Sequence, residues 1–115
     1  MAKGLTQPTL TEIQRVVDQI VSRFHPTKVV LFGSHASGSP TADSDVDLLV
    51  EMETSLPNAE QAVAIRRAVD FPFPADLLVR TPRQVAERLA LQDAFMRDIM
   101  TGGRVLYEAA RARVG

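Results

Sequence analysis

The chain has no cysteine, so it holds neither a disulfide framework nor a thiolate metal site, as expected of a reducing compartment. No stretch approaches the roughly 20 consecutive apolar residues that a membrane helix needs. The opening Met1-Ala2-Lys3-Gly4-Leu5-Thr6-Gln7-Pro8 has no apolar run of the signal-peptide kind. A cytoplasmic location without membrane attachment is therefore the expectation. Charge of one sign is also scarce: 13 basic residues stand against 14 acidic ones, a formal net charge of −1. That balance argues against a broad electrostatic platform for nucleic acid. No Gly-Lys-Ser/Thr follows a glycine at P-loop spacing, which excludes a Walker-type NTPase.

What is present is an ordinary globular composition, 45% apolar and 23% charged over 115 residues, which excludes disordered and collagen-like chains. The length fits one domain, residues 1–115, with a real hydrophobic core. Eleven of the 13 basic residues are arginine, the better fork for phosphate or carboxylate.

Leu10, Ile13, Val16, Val17, Ile20, Val21 and Phe24 recur at three- and four-residue spacing and predict a helix over 9–24. Thr9 with Glu12 has capping-box spacing, and Pro26 closes the far end. Lys28 to Phe32 reads as a buried strand that stops at Gly33. Residues 34–44 are small or turn-forming and predict a loop. Asp45 to Met52 returns to strand character, and Pro57-Asn58 opens a helix that Phe71-Pro72-Phe73-Pro74 ends. Ala75 to Arg80 is a third strand. Thr81-Pro82 starts helical sequence that runs to Met100, with a break near Leu91. Gly102-Gly103 then stops it, and Arg104 to Tyr107 forms a last short strand. Strands interleaved with such helices predict an α/β (α+β) architecture: a small mixed sheet with helices packed mainly on one face.

Asp45 and Asp47 lie two apart in a predicted strand, so both project from one face with α-carbons about 6.5 Å apart. Two carboxylates beside buried Val46, Leu48 and Leu49, with no cation in the strand, call for a bound ion. Asp76-Leu77-Leu78-Val79 repeats the text of Asp47-Leu48-Leu49-Val50, so Asp76 joins the pair if the two strands are neighbours. Three oxygen ligands without histidine or cysteine suit Mg²⁺ or Mn²⁺ rather than zinc, and magnesium completes its shell with substrate phosphates. Gly33 lets a phosphate approach closely, and Ser34 offers it a hydroxyl and a backbone N–H.

Gly33-Ser34, ten intervening residues, then Asp45-Val46-Asp47 resembles the signature of the DNA polymerase β-like nucleotidyltransferase superfamily, and in particular its minimal nucleotidyltransferases. Val29-Val30-Leu31-Phe32 before the glycine and Leu48-Leu49-Val50 after the second aspartate look similar too. The resemblance implies the nucleotidyltransferase fold, with Asp45, Asp47 and Asp76 as metal-binding and catalytic residues. Gly33 and Ser34 would hold the β- and γ-phosphates of ATP. The text departs from the usual one at His35 and Ser37, where many relatives carry arginine. Arg66, Arg67 and Arg80 are the remaining candidates to grip the triphosphate.

Taken singly, Gly33-Ser34 suits an ordinary turn and Asp45-x-Asp47 a strand cap, while Asp76 suits a strand start. Asp43 and His35 suit turn and loop positions, His25 a helix end, and Arg66-Arg67 a solvated helix face. With no sequence left for a substrate domain and no basic patch, the acceptor is expected to be a partner protein or a small molecule at an oligomer interface. Minimal nucleotidyltransferases of this kind resemble the antitoxins of toxin–antitoxin modules. The resemblance implies AMP transfer to a tyrosine of a HEPN-type toxin, with tight binding as a second neutralising mode. An aminoglycoside-modifying subunit and a catalytically idle antitoxin that acts by contact alone are the alternatives.

Overall fold

Helix α1, Leu10–Phe24, begins where the side chain of Thr9 accepts from the Glu12 backbone N–H and the Glu12 carboxylate accepts from the Thr9 N–H in return. This capping box is the one the spacing predicts. The architecture is that of a computed structural model, which describes residues 7–41 and 43–110. The opening residues and Ala42, part of the segments considered for a leader and a loop, lie outside the described residues. Ile13, Val16, Val17 and Ile20 bury one face of α1, and His25 ends it in a left-handed conformation with φ 51°.

Strand β1, Lys28–Phe32, leads into a helical turn α2, Ser34–Ser37, at the start of the predicted loop. The physical reason is Gly33, whose carbonyl accepts from the N–H groups of Ala36 and Ser37 at 3.1 and 3.2 Å. Gly38 then closes the turn at φ 83°. Strand β2 is Val46–Glu51, helix α3 Asn58–Ala68 and strand β3 Ala75–Arg80. The helical stretch after Thr81 does break at Leu91, giving α4, Pro82–Ala90, and α5, Ala94–Gly102. Gln92 takes φ 59° at the corner, and the Asp93 side chain caps α5 by accepting from the Met96 N–H at 3.0 Å. Helix α5 passes the expected stop at Met100 because Gly103 makes the turn. A side chain there would strike the Ile99 carbonyl and Val30. Strand β4, Arg104–Glu108, follows.

The four strands form one mixed sheet in the order β3-β2-β1-β4. β1 is antiparallel to both of its neighbours, whereas β2 and β3 are parallel and joined through α3. Alternation along the strands sorts the core into two layers. Val29, Leu31, Val46, Leu48, Val50 and Val79 pack with Ile13, Val16, Val17 and Ile20 of α1 and with Ile65 of α3. Val30 and Leu49 pack on the opposite face with Val85 of α4 and Met96 and Ile99 of α5. Among the described residues the first cluster holds 14 buried side chains and the second 5, so the sheet is covered mainly, though not only, on one face. Leu48 and Leu49 are fully buried on opposite sides, and truncating either to alanine should cost about 2–5 kcal/mol. Among the described residues, no helix is long and apolar enough to cross a membrane.

Candidate active site

Register decides what the sheet edge carries. In the parallel β2–β3 pair, Asp47 is directly opposite Asp76, Leu49 opposite Leu78, and Glu51 opposite Arg80. Asp47 is likewise opposite Phe32 of β1. Leu49, Leu78 and Phe32 belong to the α4/α5 face of the sheet, and alternation places Asp47 and Asp76 on that face with them. Asp45 stands immediately before β2 and is exposed, as is Asp76, whereas Asp47 is half-buried. The repeat of Asp-Leu-Leu-Val in β2 and β3 is thus a registered pairing of the two segments, and it brings the third acid to the first two.

The electrostatics follow from that crowding. Burial holds the Asp47 carboxyl above the ordinary aspartate value, and the charge of Asp76 pushes it further, followed by that of Asp45. A hydrogen bond with Asp76 adds to the rise, and His35 opposes it. A carboxylate that is desolvated and repelled by two others would be relieved by a nearby cation. The His35 Nε2 is buried without a hydrogen-bond partner among the described residues, so this atom is not in a freely solvated loop.

Gly33 is where the backbone needs a glycine. Its φ of 76° with ψ −156° lies in a region that side-chain-bearing residues avoid. A Cβ there would also collide with the Asp47 Oδ2 and sit 3.3 Å from its Cγ. The turn and the acid are therefore pressed together, with Ser34 following at once. Among the described residues, no hydrogen bond engages the Ser34 hydroxyl. After Gly38, Thr41 and Ser44 form a self-bonded turn that delivers the chain to Asp45. The Thr41 N–H donates to the Ser44 Oγ at 2.8 Å, and the Ser44 N–H donates to the Thr41 carbonyl at 3.0 Å.

The donor set fits a hard divalent cation: all oxygen, mutually repelling, and next to a glycine cradle that a methyl group would fill. Among the described residues, no three acidic or imidazole side chains already converge as a metal cluster. Asp45 and Asp76 are exposed enough to turn inward.

The arginines fall differently from expectation. Arg80 is at the opposite end of β3 from Asp76, four residues or about 13 Å away, in register with Glu51, so it does not reach the Gly33 turn. Arg66 is held at the α3–β3 junction, donating to the Ala75 carbonyl and lying 5.9 Å from the Phe71 ring centroid, rather than on a purely solvated face. Arg67 is exposed on α3. Arg104 opens β4 opposite Leu31, two residues before Gly33, and is the strand-borne arginine at the acidic end of the sheet. No sequence signal marks it, since its position depends on β4 pairing with β1. Phe95 is likewise placed only by the fold: it meets Phe32 edge-on, with ring centroids 5.8 Å apart.

The profile of the nucleotidyltransferase domain family matches residues 12–104, from the first turn of α1 to the first residue of β4. The crystal structure of a provisionally assigned nucleotidyltransferase from Sulfolobus solfataricus is similar in fold. Its TM-score is 0.58 at 17% identity, over 86% of this chain and 79% of that one. No curated protein matches the sequence. Because the profile takes in the Gly33 turn, both acidic strands and the helices around them, the chain belongs to the nucleotidyltransferase domain family.

Proposed function

We propose that this nucleotidyltransferase moves AMP from ATP to a hydroxyl of a partner protein, a tyrosine of a HEPN-type toxin that it neutralises as an antitoxin. The observation that carries the chemistry is the registered pair Asp47–Asp76 beside Asp45 and against Gly33. Asp45, Asp47 and Asp76 would hold Mg²⁺ or Mn²⁺, which supplies charge neutralisation at the attacking and leaving oxygens. Gly33 and Ser34 receive the β- and γ-phosphates, with the Ser34 hydroxyl donating. Asp76 accepts the proton of the acceptor hydroxyl. That oxygen bonds to the α-phosphorus as the bond to the β-phosphate oxygen breaks, and pyrophosphate leaves. Positioning and charge stabilisation do most of the work.

A macromolecular acceptor is supported by where Asp76 sits. β3 is an edge strand, and Asp76 on it is exposed, so a hydroxyl carried on a large partner can approach from the open side of the sheet.

The test is incubation with labelled ATP, Mg²⁺ and the co-encoded partner, followed by mass spectrometry. The expected result is one added AMP on a partner tyrosine, lost with Asp47→Asn while the complex still forms. An unlabelled partner, from a protein shown to bind ATP, removes the protein-acceptor reading.

A further inference from the structure

A hollow of 270 Å³ adjoins the Gly33 turn, walled by Phe32, Gly33, Phe95, Asp98 and the glycines 102 and 103. Its chemistry differs from that of the acidic edge. The walls are aromatic, aliphatic (Ile99) or bare backbone, the one charged group is a carboxylate, and no basic side chain lines it. Polyphosphate is repelled by such a surface, and a flat uncharged ring is welcomed by it. Phe95 is 56% exposed. It is nonetheless fixed, because its edge-to-face contact with Phe32, at 85° between ring planes, holds one side of the ring and leaves the rest open. Phe32 is itself the strand partner of Asp47, so the hollow and the acidic cluster share one wall. The larger hollow of 730 Å³ beside α3, β3 and α4 shares no residue with the Gly33 turn.

We propose that the hollow beside Gly33 is the nucleoside subsite, where the base stacks on the open face of Phe95 and Asp98 accepts hydrogen bonds from the ribose hydroxyls. The inference rests on the nucleotide reading of the acidic site and deepens it. At 270 Å³ the space lies just under the range of about 300–1,000 Å³ typical of whole-ligand pockets, which suits a nucleoside whose phosphates lie outside it. The bare surface of Gly102, where an added Cβ would meet nothing within 4 Å, leaves one side of the hollow clear. Phe95, already held in place by Phe32, stacks with little loss of side-chain freedom.

The deciding experiment compares binding of ATP and of inorganic tripolyphosphate, each with Mg²⁺, by calorimetry on the full chain. Phe95→Ala is expected to weaken ATP by about 5- to 150-fold, the span that base–aromatic stacking covers, while tripolyphosphate stays within about twofold. Phe95→Trp is expected to restore ATP binding, and Asp98→Asn to narrow the preference for ATP over its dideoxy analogue. ATP affinity indifferent to Phe95, or ATP and tripolyphosphate weakened alike, overturns the subsite and leaves the nucleotidyl-transfer reading standing. A wild-type chain that binds neither ligand overturns both.

Discussion

Asp47 and Asp76 stand side by side as register partners in the parallel β2–β3 pair, and burial and like charge lift the Asp47 carboxyl above its ordinary value. Two carboxylates in that relationship weaken the apo fold and would be offset by a bound cation. Replacing Asp47 by Asn is therefore expected to stabilise the apo protein slightly, by up to about 1 kcal/mol after allowance for solvent screening. The same change should lower nucleotidyl transfer by about 10²-fold or more. Urea denaturation beside a turnover assay reads both. A destabilised Asp47→Asn protein would mean that the carboxylate has a structural partner.

Divalent ions should raise thermal stability by mass action, since a cation held by the acids binds the folded state. At 100 times the dissociation constant the gain is about 2.7 kcal/mol, seen as a rise in Tm with Mg²⁺ or Mn²⁺ that EDTA reverses. In the Asp45→Asn, Asp47→Asn double variant the rise should vanish. A Tm shift that survives both substitutions would place the ion elsewhere.

Substituting Gly33 by Ala meets two penalties at once, the φ of 76° and the clash with Asp47 Oδ2. A loss of at least about 1–2 kcal/mol is expected from the backbone alone. Nucleotidyl transfer should fall as well, because relief of the clash displaces Asp47. Chemical denaturation and single-turnover labelling measure the two effects on one sample.

The pH dependence has a definite sign. Asp47 and Glu51 both titrate above their unfolded values of 3.8 and 4.5, Glu51 chiefly through burial, against the pull of Lys28. The folded state thus keeps these protons to higher pH than the unfolded chain does, so their contribution is present at low pH. It is lost as pH rises from those unfolded values through the folded ones. Tm followed upward from pH 4 should fall less steeply in the Asp47→Asn, Glu51→Gln double variant than in the wild type. Equal slopes would show that other groups set the dependence.

At the end of the sheet away from Gly33, Arg80, Glu51, Lys28 and Glu108 form one row across all four strands, with alternating charge. Lys28 lies between two acids and contacts Glu108 at 3.6 Å. Lys28→Met should cost stability by roughly 0.5–1 kcal/mol, since Glu51 and Glu108 then both lose the cation between them. Added salt should shrink the difference, and ATP binding should not change. A salt-independent loss would point to packing of the lysine stem instead.

Several features were fixed by the sequence alone because they are local. The two-residue spacing of Asp45 and Asp47 keeps them close wherever the chain lies, although the strand expected from Asp45 begins only at Val46. The Thr9–Glu12 box and the Thr81 cap close within a single turn, and Gly33 stands at a strand end. The helical turn at 34–37 is not encoded locally, because small residues fit loop and helix alike and the carbonyl of Gly33 decides between them. Only the tertiary structure decided that β3 lies beside β2 in the register that sets Asp76 against Asp47. It also removed Arg80 to the far end, brought Arg104 to the near one and laid Phe95 on Phe32. Those outcomes depend on burying both faces of the sheet across long separations in sequence. That burial is a property of the whole packed core, and no short stretch of residues encodes it.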